Sequence, residues 1–442
     1  MLGEYRISGR RATEIAASVE RAVGAGALPP GHPLPPMRDL ARELGVNANT
    51  VAAAYRALRD RGVIETAGRR GSRVRPRPAS APRDPVPGPA PEGVWDLSTG
   101  NPDPRLLPPL GPALAAAAGR AERPVLYGAP DVEPGLGALA AAAFTADGVP
   151  AGPVAVTSGA LDAIERVLTA HLRPGDAIAV EDPGWGSLLD LVPALALRAV
   201  PVALDDDGPL PDRVEDALRQ GARALVVTAR AQNPTGAAVG ARRARELRAV
   251  LDRWPEVLLI EDDHGHGIVD LPAHPLAGRT RHWALVRSAA KAYGPDLRLA
   301  VLTGDTLTVD RVRGRQRLGP GWVSHLLQGA AAHLWRTGAV DVPAVAASYT
   351  ARRTALLGAL AERGIAAHGR SGMNVWVPVP DETGAVARLL RAGWAVAPGA
   401  RFRLASPPGV RLTVSPLGPA DVGPLADALA AAVRRAPARR YD

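Results

Sequence analysis

One lysine, Lys291, stands among 53 lysine and arginine residues. A composition that uses arginine for every ordinary cation leaves its lysine for a task a guanidinium cannot perform. An amine can lose its proton and condense with a carbonyl, whereas arginine stays charged and non-nucleophilic. The lysine therefore points to an aldehyde cofactor, the alternative being a chance survivor of the arginine bias. Asp262 closes the apolar run at Ile260, where a carboxylate facing a pyridine nitrogen would keep it protonated and let the ring draw electrons. The same cluster also reads as a surface group, a helix cap or, with Asp263, His264 and His266, a metal site, for which no further ligands stand nearby. Ser158, Gly159 and Ala160 join a strand to a helix, an arrangement of backbone amides and a hydroxyl suited to a phosphate, or a plain turn. Trp185 could stack on a flat heteroaromatic ring, and the Asn233 amide could donate to a ring oxygen at any pH. A core tryptophan and an ordinary Asn-Pro-Thr-Gly turn are the alternatives.

The elements that must position these groups alternate. Val154 to Thr157, Ala177 to Glu181, Ala224 to Thr228, Val257 to Glu261, Trp283 to Arg287 and Ala300 to Thr303 are strand-like, and helical patterns such as Ala160 to Leu172 and Ala241 to Arg253 separate several of them. This predicts an α/β unit with a mostly parallel sheet. The tail alternates helix (Val345 to Arg363), strand (Met373 to Val379), helix (Thr383 to Ala392), strand (Gly409 to Ser415) and a last helix, which fits a smaller α+β lobe. A proline-dense stretch cannot bury a core and marks a spacer. The expected division is a first domain over 1–77, a linker over 78–94, a large domain over 95–330 and a small one over 331–442.

The chain carries no cysteine and a net charge of +9. That removes disulfides and thiol chemistry and suits a reducing compartment. No run of signal-peptide or membrane-spanning type is present in the sequence, so a soluble, cytoplasmic protein without a membrane partner is expected. Residues 1–77 hold 14 basic against 7 acidic residues, so most of the excess charge is N-terminal, as for a module that meets a polyanion. There, Ile7 to Gly24 reads as an amphipathic helix, Met37 to Leu44 as a second, and Asn47 to Arg61 as a third, with Asn47 or Asn49 as its cap. A glycine turn at Gly45 between the last two gives a helix-turn-helix whose third helix enters a major groove by Asn47, Asn49 and Thr50. Val63 to Thr66 and Ser72 to Val74 add a wing with Arg69, Arg70 and Gly71 at its tip.

The run from Leu28 to Val74 closely resembles the GntR-type winged helix, which implies double-stranded DNA as partner. It implies contacts from Arg38, Asn47, Asn49, Thr50 and the wing arginines, over a core of Leu34, Leu40, Val51, Tyr55 and Leu58. The ordered segments around Ser158, Trp185, Asn233, Asp262, Lys291 and Arg298 resemble the fold-type I pyridoxal 5'-phosphate (PLP) enzymes, the aspartate aminotransferase superfamily. That resemblance implies a Schiff base at Lys291 and a ring-nitrogen partner in Asp262. It implies phosphate contacts from Ser158, Gly159, Ser288 and Arg298, with Ala160 in the same turn. Tyr127 would reach the phosphate of a neighbouring subunit, hence a homodimer, and Arg411 would grip a substrate α-carboxylate. Many such relatives have tyrosine just beyond the aspartate, where it donates to the ring oxygen; here His264 stands instead, a neighbour of the cofactor. The combination of both modules resembles the MocR/GabR regulators, in detail their PtsJ-like branch associated with vitamin B6 control. A transcription regulator that senses PLP or an amino compound is implied, against an active aminotransferase that carries a DNA-binding domain.

Overall fold

The computed structural model describes residues 6–24, 27–29, 31–60, 63–66, 71–74, 91–120 and 124–433, which form two compact units. The first contains α1 (Ala12–Gly24), α2 (Met37–Leu44), α3 (Ala48–Asp60), β1 (Ile64–Thr66) and β2 (Ser72–Val74). The helix expected from Ile7 begins at Ala12 instead. Gly9 takes φ +129°, and the Glu14 carboxylate accepts the Arg10 and Arg11 N–H groups at 2.9 and 3.3 Å, capping the helix from within its own first turn. Gly45 ends α2 at φ +63°, a left-handed conformation that a side chain makes costly. Asn47 then caps α3 by accepting the Asn49 N–H at 2.8 Å.

Leu34, Leu40, Val51, Tyr55 and Leu58 are buried together as expected, and the Tyr55 hydroxyl donates to the Pro35 carbonyl at 2.8 Å, fixing α3 to the turn before α2. β1 and β2 pair antiparallel, Ile64 opposite Val74, while Gly31 and Leu34 donate backbone N–H groups to Val74 and Ser72 along the other side of β2. Arg69, Arg70 and most of the 78–94 stretch lie outside the described residues.

The second unit opens with β3 (Trp95–Asp96). It then builds an eight-stranded sheet from β4 (Val154–Thr157), β5 (Ala177–Asp182), β6 (Arg198–Asp205), β7 (Gly208–Pro209), β8 (Ala222–Thr228), β9 (Leu258–Asp262), β10 (Trp283–Ser288) and β11 (Ala300–Gly304). Their order is β4-β11-β10-β9-β8-β5-β6-β7. β8, β9 and β10 run parallel, and β11 is antiparallel to both of its neighbours. β5, β9, β10 and β11 are buried along their whole lengths, which explains why they read as unbroken apolar runs rather than alternating ones.

A second sheet joins β12 (Asn374–Pro378), β15 (Gly409–Thr413) and β14 (Ala397–Pro398), and β13 (Trp394–Ala395) pairs with β3. The stretch that follows the proline-dense linker is thereby sewn onto the C-terminal lobe, with Trp95 stacked on Trp394 at 6.2 Å. The core of that lobe, including Leu356, Val375 and Leu412, extends to Ala292 beside Lys291. Among the described residues no helix is long and apolar enough to cross a membrane.

One buried charge cluster braces the main sheet. The Asp263 carboxylate accepts two bonds from Arg230, at 3.0 and 2.7 Å, and one from Arg287 at 3.1 Å, while Arg287 also pairs with Asp147 and lies 4.7 Å over the Phe144 ring. Burial pushes the Asp263 carboxyl up, but the two guanidiniums outweigh it and hold it at about 2. Asp263→Asn would leave two buried cations short of an anion and should cost about 3–5 kcal/mol, measured as a fall in the urea midpoint. An unchanged midpoint would show the cluster to be dispensable.

Candidate cofactor and ligand site

The carboxyl ends of the parallel strands form one crest, where ligands gather in α/β sheets. Register places Asp262 beside both Thr228 and Val286, and Ser288 beside Ala300, which in turn pairs with Thr157. The loops leaving these ends carry Asn233, His264, Lys291 and Ser158, so residues far apart in sequence meet there.

Asp262 is 2% exposed, and its two oxygens differ. Oδ2 lies 3.1 Å from His264 Nδ1, whereas Oδ1 is buried without a hydrogen-bond partner. An unpaired buried acceptor is costly, about 1–3 kcal/mol, and a ring nitrogen carrying a proton would relieve it. Lys291 Nζ donates to the Gly100 carbonyl at 2.7 Å. Burial first, and then the charge of Arg411, bring the lysine amine down to about 8, within reach of the neutral, nucleophilic form near physiological pH.

Arg411 is buried and has no carboxylate bonded to it among the described residues. It donates to the Ser98 carbonyl and, at 3.3 Å, to Asn233 Oδ1, and it lies 4.8 Å over the Phe402 ring, with Nε unpartnered. Burial and the nearby Arg401 lower it to about 9. A guanidinium held this way has every reason to take an incoming carboxylate. Because Asn233 Oδ1 accepts from Arg411, its amide nitrogen is the end left to serve as a donor elsewhere.

The anion cradle also assembles. Gly159 caps the helix Ala160–His171 at φ +108°, the Asp162 carboxylate accepts the Ser158 N–H at 2.9 Å, and Arg298 donates to the Ser158 carbonyl at 3.2 Å. A Cβ at Gly159 would sit 3.3 Å from the Arg298 guanidinium, so glycine keeps that approach open. Ser288 turns its hydroxyl to the Ala290 N–H at 3.2 Å. Trp185 is half-buried in the loop after β5. Tyr127 stands apart, 93% exposed and edge-on to Trp322 at 5.7 Å.

The Asp262, Asp263, His264 and His266 set does not converge as metal ligands would. Asp263 is taken by Arg230 and Arg287, and His266 packs against Trp335 with its imidazole lowered to about 4 by burial and Arg287. Among the described residues no group of three or more histidine, aspartate or glutamate side chains could hold a metal ion.

Sequence reasoning missed three participants. The Ser98 and Gly100 carbonyls are backbone groups and leave no signal in residue types. Asp182 accepts the backbone N–H groups of Leu404, Ala405 and Ser406 and the Ser406 hydroxyl, all at 2.7–2.8 Å, tying the Trp185 loop to the loop before β15. Its place at a strand end, like that of Asp262, was a readable signal. In the first unit, Arg38, Asn47 and Asn49 are exposed and Thr50 is half-buried around the start of α3.

Comparison with known proteins agrees with both halves. Residues 92–429 match the family described as aminotransferase class I and II, and residues 11–74 match bacterial regulatory proteins of the gntR family. The chain is similar to the vitamin B6 salvage pathway transcriptional repressor PtsJ of Salmonella typhimurium, with 40% identity over 97% of this chain and 100% of that one. It is also similar to the pyridoxine biosynthesis transcriptional regulator PdxR of Corynebacterium glutamicum, 31% identical over 60% of this chain and 59% of the relative. Among solved structures, aspartate aminotransferase from Thermus thermophilus with maleate superposes with a TM-score of 0.68 at 26% identity, covering 77% of this chain and 91% of the other. With a GntR-family winged helix followed by an aminotransferase class I and II domain of fold type I, the chain belongs to the MocR-type family.

Proposed function

We propose that this protein is a DNA-binding transcription regulator of vitamin B6 or amino-acid metabolism that takes PLP at Lys291 and senses either PLP itself or an amino compound. The names of its relatives PtsJ and PdxR, both regulators of vitamin B6 pathways, support the physiological side. The unpartnered Asp262 Oδ1, the Gly159 and Arg298 cradle and the low-lying Lys291 amine support the cofactor. When bound, PLP supplies an aldehyde that condenses reversibly with a primary amine and releases water. Asp262 would hold the ring nitrogen, Trp185 the ring face, Asn233 the ring oxygen, and Ser158, Gly159, Ala160, Ser288 and Arg298 the phosphate. Arg411 would hold the carboxylate of an amino compound.

The observation that carries regulation is the bonding of the stretch just after the linker. Its Ser98 carbonyl serves Arg411 and its Gly100 carbonyl serves Lys291. Any ligand that engages those two side chains must compete with that stretch, and the linker continues from it toward the DNA-binding unit. This gives a ligand different interactions in two states, as an effector requires.

The same reading places the winged helix at 1–77, the linker at 78–94, and the large and small lobes at 95–330 and 331–442, in the cytoplasm. The DNA face is Arg38, Asn47, Asn49 and Thr50 with the wing residues Arg69, Arg70 and Gly71. It is a homodimer: Tyr127 and Leu126, 93% and 70% exposed, lie at residues neighbouring a groove of about 1000 Å³ lined by Val125, Trp322, Leu326 and Arg336, which a second copy would cover.

Mobility shift on the DNA upstream of the protein's own gene, with and without PLP, tests the reading. Lys291→Ala should abolish borohydride-trapped PLP and the PLP response while leaving DNA binding measurable. No shift of the parent under either condition, or rapid turnover of amino and 2-oxo acids with no PLP effect on DNA, would favour an aminotransferase instead. Because the neutral amine is the reacting form, the rate of PLP attachment should rise with pH through about 8 and level off above it. Stopped-flow absorbance reads this, and a flat profile across that range would contradict the lysine assignment.

A further inference from the structure

His264 stands where the resemblance to fold-type I enzymes leads one to expect a tyrosine, and both of its ring nitrogens are already engaged. Its Nε2 lies 2.7 Å from the Ala231 carbonyl and its Nδ1 lies 3.1 Å from Asp262 Oδ2. A carbonyl only accepts, so Nε2 must donate; a carboxylate oxygen calls for a second proton, on Nδ1. The carbonyl end is fixed. Ala231 holds φ +57°, its N–H donates to Ser371 Oγ at 2.9 Å, and that hydroxyl donates to the Gly236 carbonyl at 3.0 Å. On the other side a Cβ at Gly372 would lie 2.4 Å from Ala231 Cβ, so the two backbones are in close contact. The imidazole is a strut between a closely packed backbone and a buried carboxylate whose other oxygen has no partner among the described residues.

The charges around it agree. Burial acts to lower the His264 imidazole, but the Asp262 carboxylate outweighs burial and the opposing Lys291 amine, leaving the imidazole raised. Asp263, next along the chain, is committed to Arg230 and Arg287 and does not compete for the ring.

We propose that His264 is a positioning residue. Donating from both nitrogens, it ties Asp262 Oδ2 to the Ala231 carbonyl, so that Oδ1 is the oxygen left for the cofactor's ring nitrogen and neither nitrogen of His264 is free to donate elsewhere. The assignment of Oδ1 rests on the reading that this site takes PLP, whereas the strut does not depend on it. Outer partners of this kind orient the groups that touch a ligand, and losing them weakens binding without removing any direct contact.

The test uses the full chain, labelled with ¹⁵N-histidine and free of PLP, in two-bond ¹H–¹⁵N correlation spectra, the His264 signals being assigned by their loss in His264→Gln. The ring should stay doubly protonated above the pH at which a free imidazole is half neutral, and should titrate lower in Asp262→Asn. A singly protonated ring that titrates alike in the parent and in Asp262→Asn overturns the strut. In the PLP arm, His264→Gln and His264→Tyr should each weaken PLP binding by about tenfold, the scale of one lost charge-assisted bond, in chains that keep the parent's folded circular dichroism spectrum at the assay temperature. Undiminished PLP affinity in both variants overturns the positioning role. The doubly protonated signature in a chain that binds no PLP overturns the Oδ1 assignment and the cofactor reading together, and leaves the strut standing.

Discussion

Two cations with no carboxylate bonded to them among the described residues, Lys291 and Arg411, govern this site. Arg411 is buried and Lys291 half-buried, the charge of each disfavours further positive charge beside it, and both rest on carbonyls of one short stretch, Ser98 and Gly100. Carbonyl dipoles compensate a buried charge only in part, so the stretch is a provisional partner that an aldehyde and a carboxylate could displace. Gly100 makes the arrangement possible: it holds φ +70°, and a Cβ there would lie 3.1 Å from the Arg411 guanidinium. The same stretch begins in β3, which pairs with β13 where the linker enters the fold.

Three successive acids at the end of β9 show how one strand divides structural work from chemistry. Glu261 accepts the Leu276 and Ala277 N–H groups at 2.8 and 2.7 Å, and burial raises it to about 7. Asp263 is neutralised by two arginines. Both acids have their bonds filled within the fold. Only Asp262 keeps an oxygen for something else. His264, one residue past Asp263, bonds that carboxylate from beyond the strand, so the run Glu261 to His264 holds two acids whose bonds are filled within the fold, one with an oxygen left unpartnered, and an imidazole on its other oxygen.

Much of this was legible in the sequence. The lone lysine, the strand-terminal aspartate and the alternation of apolar runs with helices located the crest, because parallel strands buried on both faces must read as continuous apolar segments. The winged-helix core was legible too, with Leu40, Val51, Tyr55 and Leu58 falling on the buried sides of α2 and α3. The start of α1 was not, since an amphipathic pattern persists through Ile7 and Ser8 although Gly9 and the Glu14 cap delay the helix. Contacts made by carbonyls, such as those of Ser98, Gly100 and Ala231, have no residue signature at all. The partner of His264 was hidden for a related reason: that an imidazole bridges Asp262 and a turn carbonyl depends on Ala231 adopting a left-handed backbone, which no preference of alanine foretells.

The central claim is that ligand capture at Lys291 and Arg411 is transmitted through the stretch Trp95 to Gly100. Hydrogen–deuterium exchange of the full chain, with and without PLP and an amino acid, addresses it directly. Altered uptake in the peptide spanning Trp95 to Gly100 and in its partner strand at Trp394, accompanying PLP capture, is the predicted result. Unchanged uptake there while PLP is bound and DNA affinity shifts would contradict the account.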